Sequence, residues 1–400
     1  MSERHCEVIV VGAGPAGCFT ALNLAEAGHE VTLLERSPGP RDGIVCTGIV
    51  GREAFGHLDI PDGSARDVIR RARFYSPAGV QVDFEPGTPL AHVVDRTAFD
   101  TGLLERAEEA GVEVRHGYEA RGMHRTDNGV VLECRNGALT SLHARALVVA
   151  TGHQPWLHKA AGFGSPPSWV TGVHADLPFE DLDAAELYFG NDVAPGFFSW
   201  AVPFGDGKAR LGVLAENGAH RIFRKFLEID PIRRRLGVDP ADDPKDTIGR
   251  AMRSRGIVQG TVDPSYAERA LAVGEAAGQV KTTTAGGIYY GMIGGEVAAE
   301  VLSDGLKRDR LDAAWLSRYQ EEWESKLGSE IDAGLELQRV AQGMSDSDID
   351  QLFKALSGGL GAAVRQVVRF DWHKPALKVL FRGSRLRRMV ARRFAPAEVA

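Results

Sequence analysis

Residues 7–36, EVIVVGAGPAGCFTALNLAEAGHEVTLLER, constrain the fold of this chain more than any other stretch. Val8 to Val11 is an unbroken apolar run rich in β-branched residues, the pattern of a parallel strand covered on both faces. Gly12-Ala13-Gly14-Pro15-Ala16-Gly17 then fits GxGxxG. In such a turn Gly12 permits the tight bend, Gly14 lets backbone approach a pyrophosphate, and Gly17 lets the next helix close on the strand. That helix is expected over about 16–27. The second strand ends at Glu35, 21 residues after Gly14, where a carboxylate can accept from adenosine ribose hydroxyls. An acid there favours an unphosphorylated ribose, although Arg36 stands next to it. The unit therefore points to FAD or NAD rather than NADPH.

Four hundred residues leave room for two or three domains. A chain 44% hydrophobic and 25% charged is an ordinary globular composition, and 47 glycines suit several backbone-to-ligand loops. A net charge of −7 argues against nucleic acid as partner. The cysteines at 6, 18, 46 and 134 form no CxxC and are too few for a disulfide scaffold. No secretory leader pattern and no apolar run of about 18 residues is visible. A reduced, cytoplasmic enzyme is expected. The twelve histidines show no HxxxH or HExxH, so no metal site is expected.

Later segments favour FAD. Asp95-Arg96 opens a helix with apolar positions 99, 103, 104 and 107, closed by Gly111 before the strand 112–115. Residues 146–150 form another buried-type strand. Ala270-Leu271-Ala272-Val273 leads into Gly274-Glu275-Ala276-Ala277-Gly278, and a glycine-spaced helix begins near 286. Separated segments of this kind suit a flavin domain whose first part holds ADP and whose last part returns to the ribityl chain and ring.

The run Gly274 to Leu302, GEAAGQVKTTTAGGIYYGMIGGEVAAEVL, resembles the flavin signature of the geranylgeranyl reductase family, within the p-hydroxybenzoate hydroxylase-like flavoenzymes. Cys46-Thr47-Gly48 is similar to that family's cysteine loop beside the flavin. Tyr188-Phe189-Gly190 with the run Pro195–Pro203 is similar to its pocket motif Tyr-x-Trp-x-Phe-Pro. This chain departs from the pattern at Glu275 (for Asp), Thr282 (for Pro), Ala285 (for Gly), Thr151 (for Asp), Phe198 (for Tyr) and Val202 (for Phe).

The resemblance implies an FAD-dependent oxidoreductase that reduces carbon–carbon double bonds of a polyprenyl lipid with hydride from reduced flavin. Its partners would be a hydrophobic isoprenoid and an external donor: nicotinamide, ferredoxin or quinol. A monooxygenase or halogenase of the same superfold is the rival reading, and a flavoprotein without activity a third. Implied cofactor contacts are Gly12, Gly14, Ala16, Gly17, Glu35, Arg36, Cys46, Thr47, Gly48, Arg96, Gly274, Glu275, Gly286, Gly287 and Ile288. A helix start at 285–287 would offer N–H groups to an anionic reduced flavin.

Cys46 serves either as proton donor beside the flavin or as a small buried side chain. Tyr289 and Tyr290 either present a phenol or fill core. Phe198 and Trp200 share one strand face and, with Val202, line an oily slot or plain sheet core. Arg96 contacts the flavin or makes a salt bridge, and Lys281 reaches the flavin edge or solvent.

The expected architecture is α/β: a Rossmann-like FAD-binding domain (1–72 with 92–160 and 267–305), an antiparallel-sheet substrate domain (73–91 with 161–266) and a helical C-terminal region (306–400). Strands are expected near 74–76, 80–84, 169–177, 185–189, 197–203 and 209–214, with a helix near 219–229; residues 232–269 show no clear pattern. Trp315, Tyr319, Trp323, Leu327 and Ile331 repeat every four residues, an amphipathic helix. Ser347 with Asp350 is expected to cap the next helix. Residues 374–400 carry a local charge of +7, and their interleaved apolar residues suit either an anionic membrane surface or a solvated helix against the acidic body.

Overall fold

A computed structural model describes residues 5–39, 44–57, 60, 63–152, 154–237, 239–240 and 246–382. The apolar strand His5–Val11 lies inside a sheet, with Val8, Ile9 and Val10 fully buried. It pairs in parallel with Val31–Glu35 on one edge and Ala138–Val149 on the other. Glu113–His116 and Ala270–Ala272 extend the parallel array outward, and Tyr266–Ala267 adds an antiparallel edge. The long strand Ala138–Val149 also pairs antiparallel, through its first half, with Gly129–Asn136, which pairs with Glu119–Thr126.

The helix Pro15–Glu26 follows the glycine turn, and the helix Ile288–Arg308 packs against it through small residues. A Cβ on Gly291 would lie 3.1 Å from Gly274 Cα and 3.2 Å from Ala16 Cβ, and one on Gly295 only 2.6 Å from Thr20 Oγ1. Bulk at either position would prise the two helices apart.

A second sheet of seven strands runs in the order Arg253–Gln259, Ser168–Pro178, Lys208–Ala215, Ala194–Pro203, Ala185–Gly190, Ala72–Tyr75 and Gln81–Phe84. Every pairing in it is antiparallel except that of Ala185–Gly190 with Ala72–Tyr75. The helix Ala219–Glu228 buries Ile222, Phe223, Phe226 and Leu227 in this sheet's core. The α/β architecture with an antiparallel second sheet is thus the one observed. Arg253–Gln259 escaped the sequence because it is an edge strand whose first four residues are exposed, so no alternation marks it. A small sheet of Ile49–Gly51, Ala91–Val94 and Ala65–Ile69 feeds both cores: Val50 and Val94 join the first, Ile69 and Val93 the second.

The long helix Ala313–Gln342 buries Tyr319, Trp323, Leu327 and Ile331 completely. Trp315 stays partly exposed under the guanidinium groups of Arg308, Arg310 and Arg318. The next helix, Asp346–Leu356, corrects the expected cap. Ser345, not Ser347, makes the capping box, with Asp348. Asp350 is drawn elsewhere, accepting from Ser76 Oγ (2.6 Å) and Ala78 N (2.9 Å). Among the described residues no helix is long and apolar enough to cross a membrane. Of the basic segment 374–400, Lys374–Arg382 is helical and 383–400 lies outside the described residues.

Candidate active site between the two sheets

The glycine turn is built as its spacing requires. Gly12 has φ +108°, and a Cβ there would sit 2.6 Å from the Ala150 carbonyl oxygen. A Cβ on Gly17 would overlap the Gly12 carbonyl oxygen, so Gly17 is a packing residue beneath the loop. Gly14 caps the helix Pro15–Glu26 without a side chain, leaving its first N–H groups available. The buried Glu35 carboxylate accepts from Ala13 N (3.1 Å) and Ser37 N (2.9 Å), which fixes it at the mouth of the glycine turn.

One cavity of about 910 Å³ is lined by all the implied cofactor contacts except Gly17, and by Tyr289, Tyr290, Phe198, Trp200 and Val202. Gly12, Gly14, Ala16, Glu35 and Arg36 form one part; Cys46, Thr47, Gly48 and Arg96 another; Gly274, Glu275 and residues 286–290 a third; Phe198, Trp200 and Val202 the fourth. No group of three or more His, Cys, Asp or Glu that could hold a metal occurs among the described residues.

The loop before the helix Ile288–Arg308 is a tight turn in which Lys281 N donates to Gly286 O (2.8 Å). Ala285 sits there at φ +55°, a conformation that favours glycine. The helix begins at Gly287 with no side-chain cap, so N–H donors and the positive dipole end meet the cavity. The long C-terminal helix braces this loop. Thr282 Oγ1 donates to Ile331 O (2.6 Å), and Gln338 donates to Thr282 O (2.6 Å). Gln279 accepts from Gly274 N (2.7 Å) and donates to Tyr319 Oη (2.7 Å), which donates to Ala272 O (2.6 Å).

Two side chains point where the sequence did not suggest. Glu275 turns toward the second sheet, pairing with Arg255 and accepting from Val258 N (3.3 Å). Lys281 lines the cavity, but its ammonium is held by the C-terminal segment: Nζ donates to Phe370 O (2.9 Å) and pairs with Asp371 (3.0 Å). That contact brings the segment Phe370, Asp371 and His373 into the cavity wall, a contribution no motif announced.

Cys46 lies between two arginines. Arg96 is buried and forks onto Asp100 (2.9 Å twice). Burial works against its charge, but Asp100 and the neighbouring Cys46 outweigh burial and hold the guanidinium above its ordinary range. Arg210, which sequence reasoning missed, donates to the Cys46 and Thr47 carbonyls (2.7 and 3.1 Å). The two tyrosine hydroxyls are engaged away from the cysteine. Tyr290 donates to Asp371 O (2.9 Å), and Tyr289 Oη lies 3.3 Å from His57 Nδ1. Burial pushes Tyr289 up to about 12 and Tyr290 higher still.

Phe198, Trp200 and Val202 alternate along Ala194–Pro203 and face the cavity together. Trp200 lies over Gly212, where a Cβ would run into the indole, and its buried Nε1 has no hydrogen-bond partner among the described residues. Phe74, Leu187, Leu214 and Ile257 complete an apolar slot.

A model of the FAD binding domain family matches residues 5–292. The chain belongs to that family. FAD is its cofactor, and the cavity fits it: an uncapped helix start, a carboxylate at the ribose position, and open space at Gly286, where a Cβ would meet nothing nearer than 3.6 Å. This FAD-binding chain is 29% identical over 390 residues to the digeranylgeranylglycerophospholipid reductase of Methanocaldococcus jannaschii, covering 94% of this chain and 97% of that one. To digeranylgeranylglycerophospholipid reductase 2 of Methanothermobacter thermautotrophicus it is 27% identical over 372 residues, 88% and 92% of the two chains. Among solved structures, a geranylgeranyl bacteriochlorophyll reductase-like protein of Thermoplasma acidophilum shares the fold at a TM-score of 0.85 and 18% identity, over 98% and 99% of the chains. A flavin-dependent brominase shares it at 0.68 and 17% identity, over 90% and 98%.

Proposed function

We propose that this FAD-dependent oxidoreductase saturates carbon–carbon double bonds of a polyprenyl chain carried on a lipid or related isoprenoid. The observation that carries this reading is the apolar slot of Phe198, Trp200 and Val202, which opens into the same cavity as the flavin loop and Cys46. The names of the reductase relatives support it. Bound FAD, once reduced by a nicotinamide, ferredoxin or quinol, supplies the hydride. The N–H groups opening the helix at Ile288 favour negative charge at the ring edge. Cys46 gives a proton from its thiol to the second alkene carbon, and Arg96 stabilises the thiolate left behind. Tyr289 and Tyr290, with their hydroxyls engaged elsewhere, close the wall.

The enzyme acts from the cytoplasm and meets its lipid through the basic segment 374–400; liposome co-sedimentation with and without that segment tests the contact. The activity is tested anaerobically, with chemically reduced protein and a geranylgeranyl lipid, by mass spectrometry for the gain of H2 at each double bond. A product that forms only with oxygen would instead favour the monooxygenase or halogenase reading, and an unchanged lipid would overturn the reductase.

A further inference from the structure

We propose that Arg210 is a positioning residue that fixes the Cys46 thiol relative to the substrate slot. Its guanidinium divides its donors between two segments far apart in the chain. Nε and one terminal nitrogen fork onto Asp176 (2.6 and 2.7 Å), the residue directly opposite in the antiparallel pair of Ser168–Pro178 with Lys208–Ala215. The other terminal nitrogen binds two consecutive carbonyls, those of Cys46 and Thr47. The group is buried and lies 3.9 Å from the ring centroid of Phe204, the residue after the strand Ala194–Pro203, so the second sheet and its edge hold it from two sides. Only an arginine has the rigid donor fork for this; a lysine carries the charge without the geometry.

Among the described residues, the other contacts of the cysteine loop gather at Gly48. Gly48 turns at φ +74°, its carbonyl accepts from Val94 N (2.8 Å), and its N–H donates to Cys46 Sγ (3.3 Å). On the sulfur side stands Arg96, itself held by Asp100. Arg210 therefore decides where the backbone carrying the thiol sits. Its register adds the functional link. Across the next strand Arg210 faces Val202, and Gly212, two residues on, faces Trp200. The strand that seats the indole of the slot thus also holds the cysteine loop, so slot and thiol keep a fixed spacing.

The consequence for proton delivery rests on the reductase reading; the placement of the thiol does not. The test is maleimide labelling of the FAD-loaded protein, followed at each of its four free cysteines by peptide mass spectrometry. Arg210→Met is expected to raise the Cys46 rate by about tenfold or more, the equivalent of losing one charge-assisted hydrogen bond. The buried Cys18 and Cys134 should stay unlabelled and the bound flavin spectrum unchanged. Arg210→Lys should label like Arg210→Met, and Asp176→Asn, which keeps the arginine but loosens its fork, should fall between that and the parent. An unchanged Cys46 rate, a parallel rise at Cys18 and Cys134, or full rescue by lysine would each overturn the proposal. In the alkene assay the same variants should lose kcat with KM little changed. A parent without alkene reduction would sink the reductase reading and leave the labelling result to judge Arg210.

Discussion

Gly286→Val separates room kept for the cofactor from room needed by the protein. A Cβ at Gly286 would lie 3.6 Å from both Lys281 Cε and Thr284 Oγ1, which is ordinary contact, and its backbone is not left-handed. The apoprotein should therefore tolerate the change, with stability within about 0.5 kcal/mol of the parent. Bound flavin meets the same side chain as overpacking, which costs about 1–3 kcal/mol. That corresponds to about 5- to 150-fold in Kd. The assay is titration of apoprotein with FAD, followed by flavin fluorescence, beside a thermal melt of the apoprotein. Gly12→Ala is the contrasting control, because its φ of +108° and the Ala150 carbonyl 2.6 Å from the added Cβ damage the fold itself. Should Gly286→Val bind FAD as tightly as the parent, the flavin is not seated on this loop and the cofactor geometry argued above is wrong.

Ala285→Gly should stabilise the protein by about 0.5–1 kcal/mol, since leaving the strained φ of +55° outweighs the added freedom of the unfolded chain; a denaturant midpoint that falls would contradict this. Tyr319→Phe should cost about 1–3 kcal/mol in urea unfolding and weaken FAD binding, because Gln279 loses its acceptor while holding Gly274 N. Lys281→Met leaves the buried Asp371 carboxylate without its cation and should cost about 3–5 kcal/mol, most of it recovered by adding Asp371→Asn. His174 gives a pH signature. Burial, followed by the Arg210 charge, pushes it down to about 4, with Arg253 acting the same way and Asp176 opposing. Between its unfolded value and about 4 the unfolded chain binds the proton and the folded protein does not, so stability falls as pH falls through that window. The loss should reach about 2 kcal/mol at pH 5, and His174→Gln should flatten it in denaturant titrations at pH 7 and 5.

What could be read from the sequence was local. The turn Gly12 to Gly17 and the acid at Glu35 sit within one βαβ unit, so spacing alone carries their geometry. The repeat from Tyr319 to Ile331 falls on one helix face, and all four residues are buried. What could not be read was long-range pairing. Arg210 meets the Cys46 carbonyl 164 residues away, and Lys281 meets Asp371 across 90. Neither leaves a period in the chain. The capping error has a different cause: Ser345-x-x-Asp348 and Ser347-x-x-Asp350 satisfy the same pattern, and only the tertiary contact of Asp350 with Ser76 separates them. Gly212 shows the limit from the other side. Its missing side chain makes the seat for Trp200, but a glycine in a strand could equally have marked a bulge.

The charged contacts at the joint between the two cores have a physical role beside the apolar ones of the small sheet. Each core is apolar inside, one around Val8, Leu33 and Trp323, the other around Val173, Leu211 and Phe223. Charged side chains make several of the contacts that tie the flavin loops to the rest of the molecule: Arg210 donates to the Cys46 carbonyl, Arg255 pairs with Glu275, and Lys281 pairs with Asp371. Apolar surfaces meeting there would gain by closing over the space between them, because burial rewards contact without regard to direction. Guanidinium and carboxylate forks hold their partners at fixed distances and angles, so they join the parts while keeping the cavity open. The extra methylene of Glu275 then has a use, since it carries the carboxylate out to the edge strand that bears Arg255. Glu275→Asp should accordingly weaken that tie before it harms either core. Native-state hydrogen exchange of the apoprotein reads this directly: protection should drop across Arg253–Gln259 and hold in His5–Val11, and equal loss in both strands would refute it.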